Sequence, residues 1–179
     1  MRSTTPTLRR ARAHMLAGLL ALFALAVTIV ASAPAPAHAQ SRQDLIKQAY
    51  RIMTSDYATF HNTYKRQRPR PFDWRDNGCN TRDFGFGLNL PAGLIHRGYL
   101  VLFDWPCEQH DFGYRNYGAG HKLNPTERGR AWIDWRLLVE MRRACNNRYR
   151  GKPARRNVCL RYAQLVHKGV RAGGGAFYG

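Results

Sequence analysis

The sequence predicts a mainly α domain of modest size. Three observations carry this. Apolar residues recur at intervals of three and four in the stretches 42–63, 131–145 and 158–170, which is the one-sided stripe of a packed helix. Asn124-Pro125 followed by Glu127 is a helix start, a capping side chain and then a ring already set at helical φ. Four cysteines lie downstream of an export leader, and an even count in an oxidising compartment suggests two disulfides as staples. Any sheet should be minor.

The leader spans residues 1–39. Arg2, Arg9, Arg10 and Arg12 make a basic start without an acidic residue, and Met15 to Val30 is apolar or small apart from Thr28. Ala37-His38-Ala39 fits a small-x-small cleavage site. The apolar run is short for a bilayer span, which needs ~20 residues. Cleavage before Gln40 leaves one domain, residues 40–179, in a secreted or periplasmic protein. Four basic residues leave with the leader and all 11 acidic ones stay, so the mature chain carries 25 basic residues and a net charge of +14. Such a surface favours polyanions: anionic membranes, nucleic acids or acidic cell-wall polymers. Charge does not choose among them.

Taken in order, Arg42 to about Thr63 reads as a first helix with Ile46, Ala49, Tyr50, Met53, Tyr57 and Phe60 on one side. The run Lys65-Arg66-Gln67-Arg68-Pro69-Arg70-Pro71 ends it as an exposed, solvated linker. Asp76-Asn77-Gly78 is a tight-turn signal in which Gly78 is free to take positive φ. The same oxygen-bearing side chains on a glycine turn can present ligands to a hard cation such as calcium. Asn80 to Pro106 reads as a loop-rich connection broken by Gly85, Gly87, Pro91, Gly93 and Gly98. Its apolar part, Leu94 to Trp105, is read as a short strand, a buried turn or the rim of a cleft.

The second helix should run from the Asn124 cap to about Asn146, with Ala131, Leu137, Leu138, Met141, Ala144 and Cys145 forming its stripe. Asp134 falls inside that stripe. A carboxylate facing a core is costly unless it is paired and hydrogen-bonded. Arg115 would pair it structurally and His110 would pair it catalytically, and spacing alone does not decide. A basic loop, Asn146 to Asn157, precedes a short last helix, Val158 to Val170, and the tail Gly173–Gly179 is expected to be flexible. His61, His96, His121 and His167 have no partners at metal-like spacing, and no Cys-x-x-Cys pair marks a zinc site.

The stretch with the densest chemistry is Cys107-Glu108-Gln109-His110-Asp111-Phe112-Gly113-Tyr114-Arg115-Asn116-Tyr117. On a helix, His110, Tyr114 and Tyr117 share one face and Cys107 lies one turn before His110. Asp111 is rotated about 100° from His110. Each then serves its own neighbour, a base on one side and a cation on the other.

This stretch resembles the active-site helix of the small secreted phospholipases A2 of bacteria and fungi. Their signature is Cys, two residues, then His-Asp-Phe-Gly-Tyr-Arg-Asn-Tyr. Phe72-Asp73-Trp74 with Asp76-Asn77-Gly78-Cys79 is similar to the family's calcium-loop segment, and Ile133-Asp134 with Met141 and Cys145 to its second helix. The resemblance covers about Phe72 to Val170. It implies a small helical phospholipase A2-like domain with two long antiparallel core helices, around His110–Tyr117 and Thr126–Cys145, and disulfides Cys79–Cys107 and Cys145–Cys159. It implies His110 as the catalytic base, Asp134 as its orienting partner, and Asp111 with the Gly78 carbonyl as calcium ligands.

Two departures stand out. Asn77 occupies the place where the family usually has an aspartate, and its amide oxygen brings no charge to a metal site. Asp76 would substitute if the loop shifts by one residue. The connection from Cys79 to Cys107 is also longer than usual, with the extra residues around 88–104. The function implied is calcium-dependent hydrolysis of the sn-2 ester of glycerophospholipids by a monomer acting at anionic membranes, with no nucleic-acid partner. The alternative, if Asn77 breaks the metal site, is a non-catalytic cationic protein that binds membranes or cell-wall polymers. A basic nuclease would need a second histidine near His110, and no spacing supplies one.

Overall fold

The computed structural model describes residues 40–79 and 97–178. The expected leader and most of the connection after Cys79 lie outside those residues. All regular structure among the described residues is helical. None of these helices is long and apolar enough to cross a membrane.

Helix α1 is Arg42–Thr54, capped by the Ser41 side chain, which accepts the Asp44 N–H at 3.1 Å. The expected single helix to Thr63 breaks at Ser55, whose backbone is extended. The Asp56 carboxylate accepts the N–H groups of Ala58 and Thr59 at 3.0 and 2.9 Å and starts a new turn. That side-chain oxygen competes with the helix ladder for backbone donors, which is why aspartate favours caps over helix interiors. The new turn, α2 (Tyr57–Thr59), widens into a π turn over Phe60–Lys65.

A buried polar knot fastens the break. Gln109 Nε2 donates to the carbonyls of Ile52, Met53 and Ser55 at 3.3, 3.2 and 2.9 Å. Arg136 donates to those of Met53 and Ser55, both at 3.0 Å. Glu140 pairs with Arg136 at 2.7 Å and accepts the Tyr57 N–H at 3.0 Å. Every loose backbone group named here finds a partner inside the protein, as burial demands.

Helix α3, Arg97–Gly113, corrects the reading of its first half as loop, strand or turn. Tyr99, Leu102, Phe103, Pro106, Cys107 and His110 recur at three and four and face inward or are half-buried. Two features of the sequence hide this period. The stretch is apolar on nearly every side, and Pro106 sits in the helix interior, where it has no N–H to give. The helix passes into a second π turn, Tyr114–Ala119.

Helix α4 is Glu127–Arg148. Its cap is Thr126, whose hydroxyl accepts the Gly129 N–H at 3.1 Å, and not Asn124. The Asn124 carbonyl is taken instead by the Thr126 N–H and the Tyr178 hydroxyl, at 2.8 and 2.5 Å. The expected basic loop is mostly helical: α4 takes in its start, and helix α5, Pro153–Gly173, takes in its end, with Pro153 in its first turn and Gly151 (φ +72°) making the bend before it. The tail is docked as well: α6, Gly175–Tyr178, buries Tyr178.

Helices α3 and α4 run antiparallel. Gly113 lies against Ile133 and His110 against Asp134, while Phe103 and Cys107 share a core cluster with Leu137, Met141 and Cys145. A second cluster joins α1 and the first π turn to Phe72, Phe112, Tyr117 and Ile133. Disulfides link Cys79 to Cys107 and Cys145 to Cys159, the pairing that the resemblance implied. The latter staples the α4–α5 hairpin.

Candidate active site

The antiparallel pairing of α3 and α4 puts His110 opposite Asp134. His110 Nε2 lies 2.8 Å from Asp134 Oδ1, and the two side chains are 7% and 0% exposed. With the carboxylate as acceptor, Nε2 is the donor, so in the neutral tautomer the lone pair lies on Nδ1. No described residue hydrogen-bonds to Nδ1. Of the two partners the spacing allowed for Asp134, the structure pairs it with His110 and leaves Arg115 out of its hydrogen bonds.

Asp134 has three further partners. The Tyr114 hydroxyl, one helical turn after His110, donates to Oδ1 at 2.8 Å. Arg171 of α5 and Arg130 of α4 both donate to Oδ2, at 2.7 and 3.3 Å. Burial alone would raise the Asp134 carboxyl; the bonds from His110, Arg171 and Tyr114 outweigh it and hold the group below the ordinary carboxylate range. Burial and the Asp134 charge push the Tyr114 phenol up, so it stays a neutral donor. The site therefore holds a buried anion, an imidazole facing it through Nε2, and a second ring nitrogen, Nδ1, turned away from the carboxylate.

Beside it lies the turn before Cys79. Gly78 has φ +61°, and a Cβ there would meet Asp104 Oδ1 at 2.6 Å. The Asn77 N–H donates to Asp111 Oδ2 at 2.9 Å. Burial pushes the Asp111 carboxyl up, against the pull of the Asn77 N–H, His110 and Arg115. Asp76, the alternative ligand, pairs with Lys65 at 3.2 Å, and the same amine pairs with the buried Glu108. The Cys79–Cys107 disulfide also ties this turn to α3, and Asn116, in the π turn that follows α3, exchanges two 2.9 Å hydrogen bonds with the Asp73 backbone just before it.

The donors gathered here are carboxylate and carbonyl oxygens, the set a hard cation takes, and the glycine leaves room that a Cβ would fill. No group of three or more His, Cys, Asp or Glu placed to hold a metal occurs among the described residues. A cation at this turn would depend on Asp111, backbone carbonyls such as that of Gly78, and water.

Sequence reasoning did not pick out Arg130, Arg171 or Asp104, and placed Asn116 in the motif without giving it a role. Asp104 and Asp111 are seven residues apart, two turns on one helix face, and that signal was readable had the segment been read as helix. Arg171 carries no local signal, since it comes from another helix 37 residues away.

Residues 48–174 match the family described as prokaryotic phospholipase A2. The chain belongs to this family. It is also similar to a secretory phospholipase A2 of Beauveria bassiana (strain ARSEF 2860), at 28% identity over 124 residues. That alignment covers 69% of this chain and 55% of the relative, so the chain spans about half the length of the curated protein it matches. Within the region matched to the prokaryotic phospholipase A2 family lie His110, Asp134, the Gly78 turn and all four cysteines.

Proposed function

We propose that the mature protein is a secreted, calcium-dependent phospholipase A2 that hydrolyses the sn-2 ester of glycerophospholipids. The observation that carries this reading is the buried His110–Asp134 pair, which orients Nε2 and leaves Nδ1 as a base. In the reaction, Nδ1 takes a proton from a water molecule as the water oxygen attacks the ester carbonyl carbon. Asp134, bonded to Nε2–H, stabilises the imidazolium that forms. The Nδ1 proton then passes to the alkoxide of the leaving lysophospholipid as the C–O bond breaks, and the fatty acid departs. Asp111 and the Gly78 carbonyl would hold calcium, which when bound supplies Lewis-acid stabilisation of phosphate and oxyanion charge. Tyr114, by donating to the same Asp134 oxygen, keeps the anion in place as the imidazole gains charge.

Release of labelled sn-2 fatty acid from mixed liposomes, with calcium and with excess chelator, tests this. Calcium-dependent release is expected. Chelator-insensitive vesicle leakage without fatty-acid release would replace the reading with the non-catalytic one. Calcium binding itself should be weak, on the order of 10⁻⁴–10⁻³ M, because Asn77 brings no charge and Asp76 is engaged by Lys65. Asn77→Asp is expected to tighten it by about tenfold, read by titration calorimetry.

The charge distribution supports an anionic bilayer as the surface where this happens. After Glu140 the sequence has ten Lys and Arg and no acid, and most of these cations are exposed on the α4–α5 hairpin. Each cation near an anionic leaflet contributes roughly 1 kcal/mol. Binding to anionic vesicles is therefore expected to weaken steeply as salt shortens the Debye length from ~30 Å at 0.01 M to ~3 Å at 1 M. Salt-independent partitioning would contradict it.

A further inference from the structure

We propose that the segment Arg171–Tyr178 is a latch that sets the orientation of Asp134, with Arg171 as a positioning residue for the proposed hydrolysis. The activity arm of this inference rests on the function proposed above; its geometry does not.

The argument begins at the carboxylate. Oδ1 of Asp134 serves His110 and Tyr114, and Oδ2 takes Arg171 at 2.7 Å and Arg130 at 3.3 Å. The last torsion of an aspartate is soft. Bonds to one oxygen alone leave the carboxylate able to swing off the imidazole; a guanidinium on the other oxygen removes that freedom. Arg171 is itself held. It pairs with Glu127 at the start of α4, and Glu127 bonds Arg130 at 2.7 and 3.0 Å. Two anions and two guanidiniums thus balance, and the planar forks fix direction as well as charge.

The tail then locks the arrangement. A Cβ at Gly174 would overlap the Tyr114 hydroxyl, and one at Gly118 would overlap the Tyr178 carbonyl, so both glycines admit the segment. The Tyr178 ring packs edge-on against Tyr114 at 5.1 Å, and its hydroxyl donates to the Asn124 carbonyl at 2.5 Å. Two of the four groups on Asp134, Tyr114 and Arg171, are thereby placed by the docked segment.

The test compares Arg171→Met with Arg171→Lys, and adds Glu127→Gln and Tyr178→Ala. Turnover is measured on phospholipid vesicles, and the imidazole N–H of His110 is followed by proton NMR, assigned by its loss in His110→Ala. Arg171→Met is expected to lower kcat about 10–100-fold with KM and calcium affinity within about twofold, the size of effect seen when a group behind a functional ligand is lost. Arg171→Lys should recover most of this, and the His110 signal should broaden in the Met variant and persist in the Lys variant. Glu127 is 64% exposed, so Glu127→Gln loosens Arg171 without burying anything new, and carries the test if Arg171→Met does not fold. Its expected loss, like that of Tyr178→Ala, runs in the same direction and is smaller.

An unchanged kcat with an unchanged His110 signal in Arg171→Met overturns the proposal. Equal damage in the Lys and Met variants also overturns it, because packing and not the cation would then be at work. A wild type that releases no fatty acid, but whose His110 signal still responds to Arg171→Met, upholds the latch and removes the hydrolase reading.

Discussion

His110→Ala is expected to reduce fatty-acid release by at least about 10²–10⁴-fold, the contribution of a positioned general base. It should do so with little loss of fold. Asp134, fully buried, keeps Tyr114, Arg130 and Arg171 as partners, so no orphaned anion is created. Alanine is also the best helix former, and position 110 lies inside α3. Thermal unfolding followed by circular dichroism, beside the liposome assay, separates the two effects. Full turnover in a folded variant would end the assignment of His110 as the base.

Glu140→Ala should have the largest effect on stability and none that is specific to the chemistry. Its side chain is 1% exposed, and it pairs with the 10%-exposed Arg136 while accepting the Tyr57 N–H. Removing one partner of a buried pair leaves a desolvated charge and costs about 3–5 kcal/mol. For a domain of this size that is a fall in Tm of roughly 10 °C. The double variant Arg136→Met with Glu140→Leu is expected to regain much of the loss, since apolar replacement of a whole buried pair is often neutral. A single variant that melts within about 2 °C of the wild type would mean that the knot is relaxed by water.

These two sites differ in how well the sequence revealed them. The need for a partner at Asp134 is legible because an acid inside an apolar helical stripe demands one, but spacing left Arg115 and His110 both open, and only the resemblance of the His110 motif favoured the histidine. The Glu140–Arg136–Gln109 knot is not legible. It exists to satisfy carbonyls freed where α1 breaks, and the break follows from Asp56 capping a turn that periodicity alone carries straight through. The hidden length of α3 has another cause: a helix buried on most sides loses the amphipathic signature, and Pro106 argues against it locally. The docking of the glycine-rich tail depends on space left at Gly118 and on the Tyr114 ring, contacts between positions about sixty residues apart. Composition suggested freedom there, and tertiary contact removed it.

The Cys79–Cys107 bond has a consequence for when the proposed site is assembled. Cys79 directly follows Gly78, and Cys107 stands one helical turn before His110. The covalent link therefore ties the oxygen-lined turn to the same helix that carries the base. In a thiol-rich cytosol the two halves would be carried on one chain without that link, joined only by weaker contacts such as those of Asn116. On the function proposed above, forming this bond after export would complete the site only once the chain has left a reducing compartment.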